Sequence, residues 1–304
     1  MSRTDETLVM IRTALARFSN VLLVLGAAGV GVLAPQLSPY FDPLITPLVV
    51  FLVFTSLRGV RFAAIDYSSY AAIVALSLGL SYVVLPFAGM RLVELALSDA
   101  AVIGFAIALS VPTTAGSAII WTRLARGDAQ LATIGSIASL LVAPAATPLV
   151  LTRLVGSRIT VPTASILTDL AVIVGGGVLL TVVVPADALS TETVDRASTL
   201  AILLLIYTAV AGVGVFGIDG PTLLAVVGVA VLLFAVGAAL TAGCLRAFDI
   251  GRERGIALCF TTNLKNLGIA LLVSLPFADP LVTAAIIVYY VVQQTGGAVL
   301  ADAT

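Results

Sequence analysis

Apolar residues along the chain form long blocks, which short breaks carrying proline, glycine and charge separate from one another. Ten blocks of about 20 residues can be delimited, at roughly 15–34, 42–57, 68–88, 99–124, 129–152, 165–185, 197–217, 221–245, 251–276 and 280–301. The blocks do not alternate apolar with polar positions, as strands of a membrane barrel do. A helix of about 20 apolar residues crosses a hydrocarbon core of about 30 Å. The pattern therefore predicts an all-α membrane protein with ten transmembrane helices, forming a single domain over residues 1–304.

The composition is that of a chain solvated by lipid. Of the 304 residues, 60% are hydrophobic and 10% are charged, whereas soluble domains have about 25% charged residues. The net charge of −1 offers no basic stripe, so we expect no nucleic-acid partner. The chain has no histidine, and its two cysteines, Cys244 and Cys259, lie inside apolar blocks. We therefore expect no metal, no cofactor, no disulfide framework and no histidine-based catalytic triad.

The distribution of arginine predicts the orientation in the membrane. If the amino terminus is cytoplasmic, eleven arginines fall on the cytoplasmic side and three, Arg91, Arg153 and Arg158, fall on the opposite side. Short cytoplasmic loops are enriched in arginine and lysine. The sequence therefore predicts a multi-pass protein of the cell (plasma) membrane with both termini in the cytoplasm.

Two stretches about 150 residues apart resemble each other, one beginning at Gly104 and the other at Gly255. Each has a helix of small apolar residues, a hydroxyl-rich break and a second apolar half that is followed by an aspartate. Because five spans separate the two stretches, they cross the membrane in opposite directions, as in many secondary transporters. We predict two inverted repeats of five helices, at about 15–155 and 163–301.

Both stretches are predicted to be interrupted near the middle of the membrane. In block 99–124, Pro112 removes a backbone donor and disfavours a continuous helix, and hydroxyl-bearing residues follow it. Block 251–276 has no proline but carries a run of polar residues between apolar halves. Backbone groups that are freed at this depth need partners from protein or from water.

Lys265, in the second break, is the only lysine in the chain. It lies about 16 Å of helix after Arg254 and about 21 Å before Asp279, at 1.5 Å per residue, which is further than a lysine arm can reach. Burying an ammonium in a bilayer costs at least about 2.5–3.5 kcal/mol, and no acidic residue is evident at that depth. The amine must lose its proton, contact water or face an anionic substrate.

With these residues in view, the chain resembles the bile acid:sodium symporter family. Pro112–Ser117 followed by Leu124–Asp128 is similar to the fourth helix of that family, and Thr261–Asn266 followed by Gly268–Ala270 is similar to the ninth. The resemblance implies that helices 1, 2, 6 and 7 form a panel. It also implies that helices 3, 4, 5, 8, 9 and 10 form a core in which broken helices 4 and 9 cross, and that the protein works by alternating access.

The chain departs from the sodium-coupled members at four positions that the resemblance implies to be ion ligands. These members have Asn, Ser, Glu and Gln where this chain has Ala118, Ala132, Thr261 and Lys265, although Ser136 keeps a hydroxyl one turn after Ala132. We therefore expect degraded sodium sites, with Lys265 substituting for the cation either permanently or by proton exchange. A coupling proton and a single retained sodium ion both remain open.

The leading hypothesis is a secondary transporter of a small organic anion. Its predicted substrate and ion site comprises the two breaks and one hydroxyl of the fifth span: Pro112, Thr113, Thr114, Ser117, Ser136, Thr261, Thr262, Asn263, Lys265 and Asn266. A sodium-coupled symporter with one sodium site and a passive channel are alternatives. A cation/proton antiporter needs carboxylates within the membrane, and an intramembrane enzyme needs paired aspartates or a Ser/His pair; neither pattern is evident. The oligomeric state is left open.

Overall fold

A computed structural model describes residues 19–58, 67–185, 188–213, 218–277 and 279–303. These residues are 86% helical and contain no strand, which confirms the predicted all-α class. Seven helices in this part of the chain are long and apolar enough to cross a membrane. The protein is therefore a multi-pass membrane protein. Arg3, Arg12, Arg17 and Arg61, which contributed to the predicted orientation, lie outside the described residues.

The main helices are numbered here in chain order: α1 Ser19–Leu33, α2 Ile45–Leu57, α3 Tyr67–Gly79, α4 Leu85–Ala96, α5 Asp99–Ser110, α6 Ala115–Leu124, α7 Ala129–Val155, α8 Thr163–Val183, α9 Thr191–Val213, α10 Gly220–Ala247, α11 Arg252–Asn263, α12 Leu267–Ser274 and α13 Pro280–Ala303. Short helical turns over residues 35–44 precede α2, and a π-helical turn, Leu80–Val84, joins α3 to α4. Because of such interruptions, the described segments contain more separate helices than the ten predicted spans.

The predicted block boundaries differ most from the structure at two places. The block predicted to begin at residue 42 is extended by helical turns that start at Pro35, and the block predicted to end at residue 88 continues to Ala96. The last turns of α4 carry Arg91 and Glu94, which form an ion pair of 3.9 Å. Charges at the end of a helix interrupt an apolar pattern but do not interrupt the helix. This explains why the second of these blocks was predicted to end at residue 88.

The helices pack mainly in two groups, although α8 of the first group also packs against α7 of the second. In the first, α8 packs against α2, and α9 packs against both α1 and α2. A Cβ atom at Gly177 of α8 would lie 2.3 Å from Cγ1 of Val53 on α2, so glycine is what allows these two helices to approach so closely. In the second group α13 packs against α5 and α10, while α7 packs against α3, α5, α6 and α11. The broken helices lie in this second group.

Candidate functional site

The predicted interruptions are present in both helices. Residues 111–114 separate α5 from α6, and residues 264–266 separate α11 from α12. In the first break, the proline at position 112 disfavours helix continuation. In the second, the side chain of Asn266 accepts a hydrogen bond from the Ile269 N–H (3.1 Å) and so caps the start of α12. An N-cap residue stabilises the start of a helix. Asn266 therefore favours a new helix at this point, although the second break has no proline.

The two breaks pair with each other as short antiparallel segments, with Thr113 opposite Lys265. The Thr114 N–H donates to the Leu264 carbonyl at 3.0 Å. A second bond of 2.8 Å joins the amide of residue 266 to the carbonyl of residue 112. Backbone groups that helix interruption frees inside the membrane therefore satisfy each other. This pairing fixes the position of the lysine backbone.

The side-chain nitrogen of Lys265 is surrounded by acceptors. Its Nζ donates to the carbonyl and to the hydroxyl of Ser81, both at 2.7 Å, and to the carbonyl of Val111 at 3.4 Å. It also lies 5.3 Å from the centre of the Tyr82 ring, within the range of a cation–π interaction. The lysine is 2% exposed, and no Asp or Glu is among the buried residues of the described segments. The three oxygens match in number the three donors of an ammonium group, and the ring face would add a cation–π contact.

The Ser81 carbonyl is available because of the π-helical turn that joins α3 to α4. In this turn the Leu85 N–H donates to Leu80, five residues back, instead of to Ser81. The next possible donor within the helix would be residue 86, which is Pro86 and has no N–H. The turn therefore leaves one carbonyl without a donor from its own helix, and Lys265 supplies that donor. Ser81 and Pro86 were not among the predicted site residues.

Hydrogen bonds that involve hydroxyl groups hold the first break on two sides. The Thr113 hydroxyl donates to the carbonyl of Thr261 at 2.6 Å, and its N–H donates to the Ser139 hydroxyl at 3.0 Å. The Tyr82 hydroxyl donates to the Ser139 carbonyl at 2.8 Å, and the hydroxyls of Thr261 and Ser77 lie 2.8 Å apart. Sequence reasoning missed the three polar residues Ser77, Tyr82 and Ser139, because isolated hydroxyls are common in membrane helices and give no signal of their own.

A cavity of about 340 Å³ lies where the two helix groups meet, between α1, α2 and α9 on one side and α6, α12 and α13 on the other. Three of the predicted residues line it: Thr114, Ser117 and Asn266. The Ser117 hydroxyl accepts a bond of 3.0 Å from Gln294 Nε2. Lys265 itself does not line this cavity.

Three other predicted residues line neither the cavity nor the lysine environment. Ser136, Thr262 and Asn263 are 0% exposed, and the side-chain oxygen of each lacks a hydrogen-bond partner within the described segments. Asn263 Oδ1 points at α10, where a Cβ atom at Gly237 would lie 2.0 Å away. The structure therefore brings together the backbones of the predicted residues, but it directs their side chains to separate places.

One comparison with known proteins identifies a family. The family model described as the SBF-like CPA transporter family matches residues 20–304, which include both breaks. This family is related to the bile acid:sodium symporters, so the resemblance based on the two breaks is confirmed. No curated protein matches the chain.

Proposed function

The chain belongs to the SBF-like CPA transporter family, and from this premise we propose that it is a secondary transporter of a small organic anion. A membrane transporter is the functional class of the family. The observation that carries the finer proposal is the cavity of about 340 Å³ that reaches the first turns of both α6 and α12. Its volume falls in the range of about 300–1,000 Å³ of sites for small molecules.

The anionic group of the substrate would bind at these two helix starts. The amides in the first turn of an α-helix have no acceptor within the helix, and the helix dipole favours a negative charge there. Gly116 and Ser117 in α6 and Gly268 in α12 all line the cavity. Two discontinuous helices whose N-terminal ends face one anionic group form a site that secondary transporters use repeatedly.

The two packing groups support alternating access. We propose that α1, α2, α8 and α9 are the panel, that the other helices are the core, and that the spans form two inverted repeats of five. The cavity lies between these groups and extends to Thr55 and Ser56 near the end of α2 and to Asp195 near the start of α9. Both helix ends are on the side predicted to be cytoplasmic. The structure would then represent the inward-facing state, and rocking of the core would expose the same site to the outside.

We further propose that the Lys265 ammonium takes the place of a coupling sodium ion. Ala118 and Ala132, at two positions where the resemblance implies sodium ligands, are 0% exposed and provide no side-chain oxygen. The Thr261 hydroxyl, at a third, donates to its own helix at Ala257 (2.9 Å). The fourth position is the lysine itself, whose acceptors are those that suit a monovalent cation. On this proposal transport does not depend on sodium.

Counterflow in proteoliposomes tests the carrier proposal. Labelled acetate, butanoate and hexanoate would be the probes, because the cavity accepts small carboxylates. We expect saturable uptake of at least one probe that unlabelled probe inside the vesicles accelerates, because a carrier reorients faster when loaded. Flux that stays linear with concentration and shows no acceleration would indicate a channel and contradict the proposal.

Glycine substitutions supply a matched pair of variants for this assay. A Cβ atom at Gly116 meets nothing within 4 Å, so Gly116→Val should fold while its side chain blocks the cavity at the start of α6. Gly243, on an exposed face of α10, is equally open, so Gly243→Val is the control. We expect counterflow to fall at least tenfold in Gly116→Val and to be unchanged in Gly243→Val.

A further inference from the structure

The cavity carries one charged side chain among the described residues that line it, and that side chain is acidic. Asp195, on α9, is exposed and lies at the mouth of the cavity. A carboxylate at this position is unexpected in a site for an anion, because like charges repel. The mouth and the deep end of the cavity therefore present different chemistry to a substrate.

At the mouth, the hydroxyl groups that line the cavity already donate their protons to other protein atoms. Thr55 and Ser56 donate to the carbonyl of Leu52 at 3.0 and 2.8 Å, and Ser198 donates to Thr55 at 3.4 Å. A hydroxyl whose proton is engaged still offers its lone pairs. Together with the Asp195 carboxylate, these oxygens make the mouth an environment of hydrogen-bond acceptors.

At the deep end, donors remain available. Ser117 accepts its bond from Gln294 (3.0 Å), so its own proton can be donated. Asn266 uses Oδ1 to cap Ile269 (3.1 Å), which leaves Nδ2 as a donor. The amides in the first turns of α6 and α12 are donors without acceptors in their own helices. The two ends of one cavity are thus complementary to opposite charges.

We propose that the substrate is dipolar: a linear amino carboxylate whose carboxylate binds at the deep end and whose ammonium binds at Asp195. This inference rests on the proposed function for the anionic end and adds a second recognition point. Residues from Asp195 to Leu203 of α9 line the cavity, which corresponds to about 12 Å of helix. The two charged groups of the substrate are therefore separated by several carbons and are not attached to one carbon.

A matched pair of ligands tests this inference on the purified full-length protein. Thermal unfolding would be followed in titrations with 6-aminohexanoate and with hexanoate, which differ by the ammonium alone. Because Asp195 is exposed and exposed ion pairs are weak, we expect 6-aminohexanoate to bind about two- to fivefold more tightly at low ionic strength. In Asp195→Asn the preference should disappear, and hexanoate should bind as tightly as before or more tightly.

The control variant is Glu192→Gln. Glu192 lies one turn earlier on α9, forms an ion pair with Arg196 and does not line the cavity. It should keep the preference for 6-aminohexanoate. Equal binding of the two ligands to the native protein, a preference that survives in Asp195→Asn, or binding of neither ligand would each overturn the inference.

These experiments distinguish failure of the transport proposal from failure of the dipolar-substrate inference. If 6-aminohexanoate binds with a preference that depends on Asp195 but produces no counterflow, the cavity is dipolar and the protein is not a carrier of this solute. If hexanoate exchanges by counterflow and the two ligands bind equally, the carrier proposal stands and the dipolar substrate is wrong.

Discussion

Removing the Lys265 side chain should convert its environment into a site for a free cation. In Lys265→Ala the carbonyl and hydroxyl of Ser81, the carbonyl of Val111 and the ring of Tyr82 remain around the space that the ammonium occupied. In the π-helical turn the Leu85 N–H donates to Leu80, and residue 86 is proline, so the Ser81 carbonyl has no donor from its own helix. Methylammonium has the same head group and terminal carbon as lysine, so it should bind in this space.

The free energies involved can be worked out from these contacts. A buried carbonyl left without its donor costs about 1–3 kcal/mol, whereas removal of a buried ammonium from the membrane recovers about 2.5–3.5 kcal/mol. These two contributions nearly cancel, so Lys265→Ala should fold. Methylammonium at ten times its dissociation constant adds RT ln 11, about 1.4 kcal/mol. At about 2–4 °C per kcal/mol, the midpoint of unfolding should rise by about 3–6 °C.

Thermal unfolding at constant ionic strength measures this effect. Methylammonium should raise the midpoint of Lys265→Ala in a saturable manner, and it should not affect the native protein, whose site the tethered ammonium fills. Tetramethylammonium, which has no donor, is the control ligand. Lys265→Met, whose apolar arm fills the same space, is the control variant. An equal response of the native protein and Lys265→Ala, or no response of either, would refute the assignment of this environment as a cation site.

Two further predictions concern stability. Gly237→Ala should lower the free energy of unfolding by about 1–3 kcal/mol, because the added Cβ would lie 2.0 Å from Asn263 Oδ1; chemical denaturation measures this, and an unchanged midpoint would show that the asparagine can move. Hydrogen bonds from Thr222 hold the pKa of Asp219, at the start of α10, below its usual value. The ionised Asp219 carboxylate therefore stabilises the folded protein fully at pH values above the pKa of an unfolded aspartate. This stabilisation is lost as the pH falls through the lowered pKa. Asp219→Asn keeps a capping side chain without this titration, so the native protein should lose more stability on acidification than the variant, and identical acid unfolding curves would contradict the explanation.

The interruptions could be predicted from the sequence because their signals are local. Pro112 cannot continue a helix hydrogen-bonding pattern, and the consecutive polar residues around Lys265 are costly in a continuous membrane helix. Both features appear within a few residues of the chain. The absence of an acidic partner for the lysine could be expected as well, because all acidic residues lie in termini, connections or span ends.

The partners of the lysine could not be predicted, because they depend on tertiary packing. Ser81 is 184 residues away from Lys265 in the chain, and one serine in an apolar span is unremarkable. Pro86 could have provided a signal, since a proline inside a membrane helix frees a carbonyl on the preceding turns. The opposite hydrogen-bonding character of the two ends of the cavity also escaped prediction. It arises from bonds such as Ser198 to Thr55 (3.4 Å), which join helices far apart in the chain.

Uptake driven by an imposed sodium gradient tests the central claim most directly. Uptake of labelled 6-aminohexanoate or hexanoate would be measured in proteoliposomes with an external solution that contains either sodium or choline. The native protein and Lys265→Gln would be compared. If the tethered ammonium fills the role of the coupling ion, initial rates for the native protein will be the same in the two salts. A strong, saturable requirement for sodium that persists after the lysine is replaced would contradict this account.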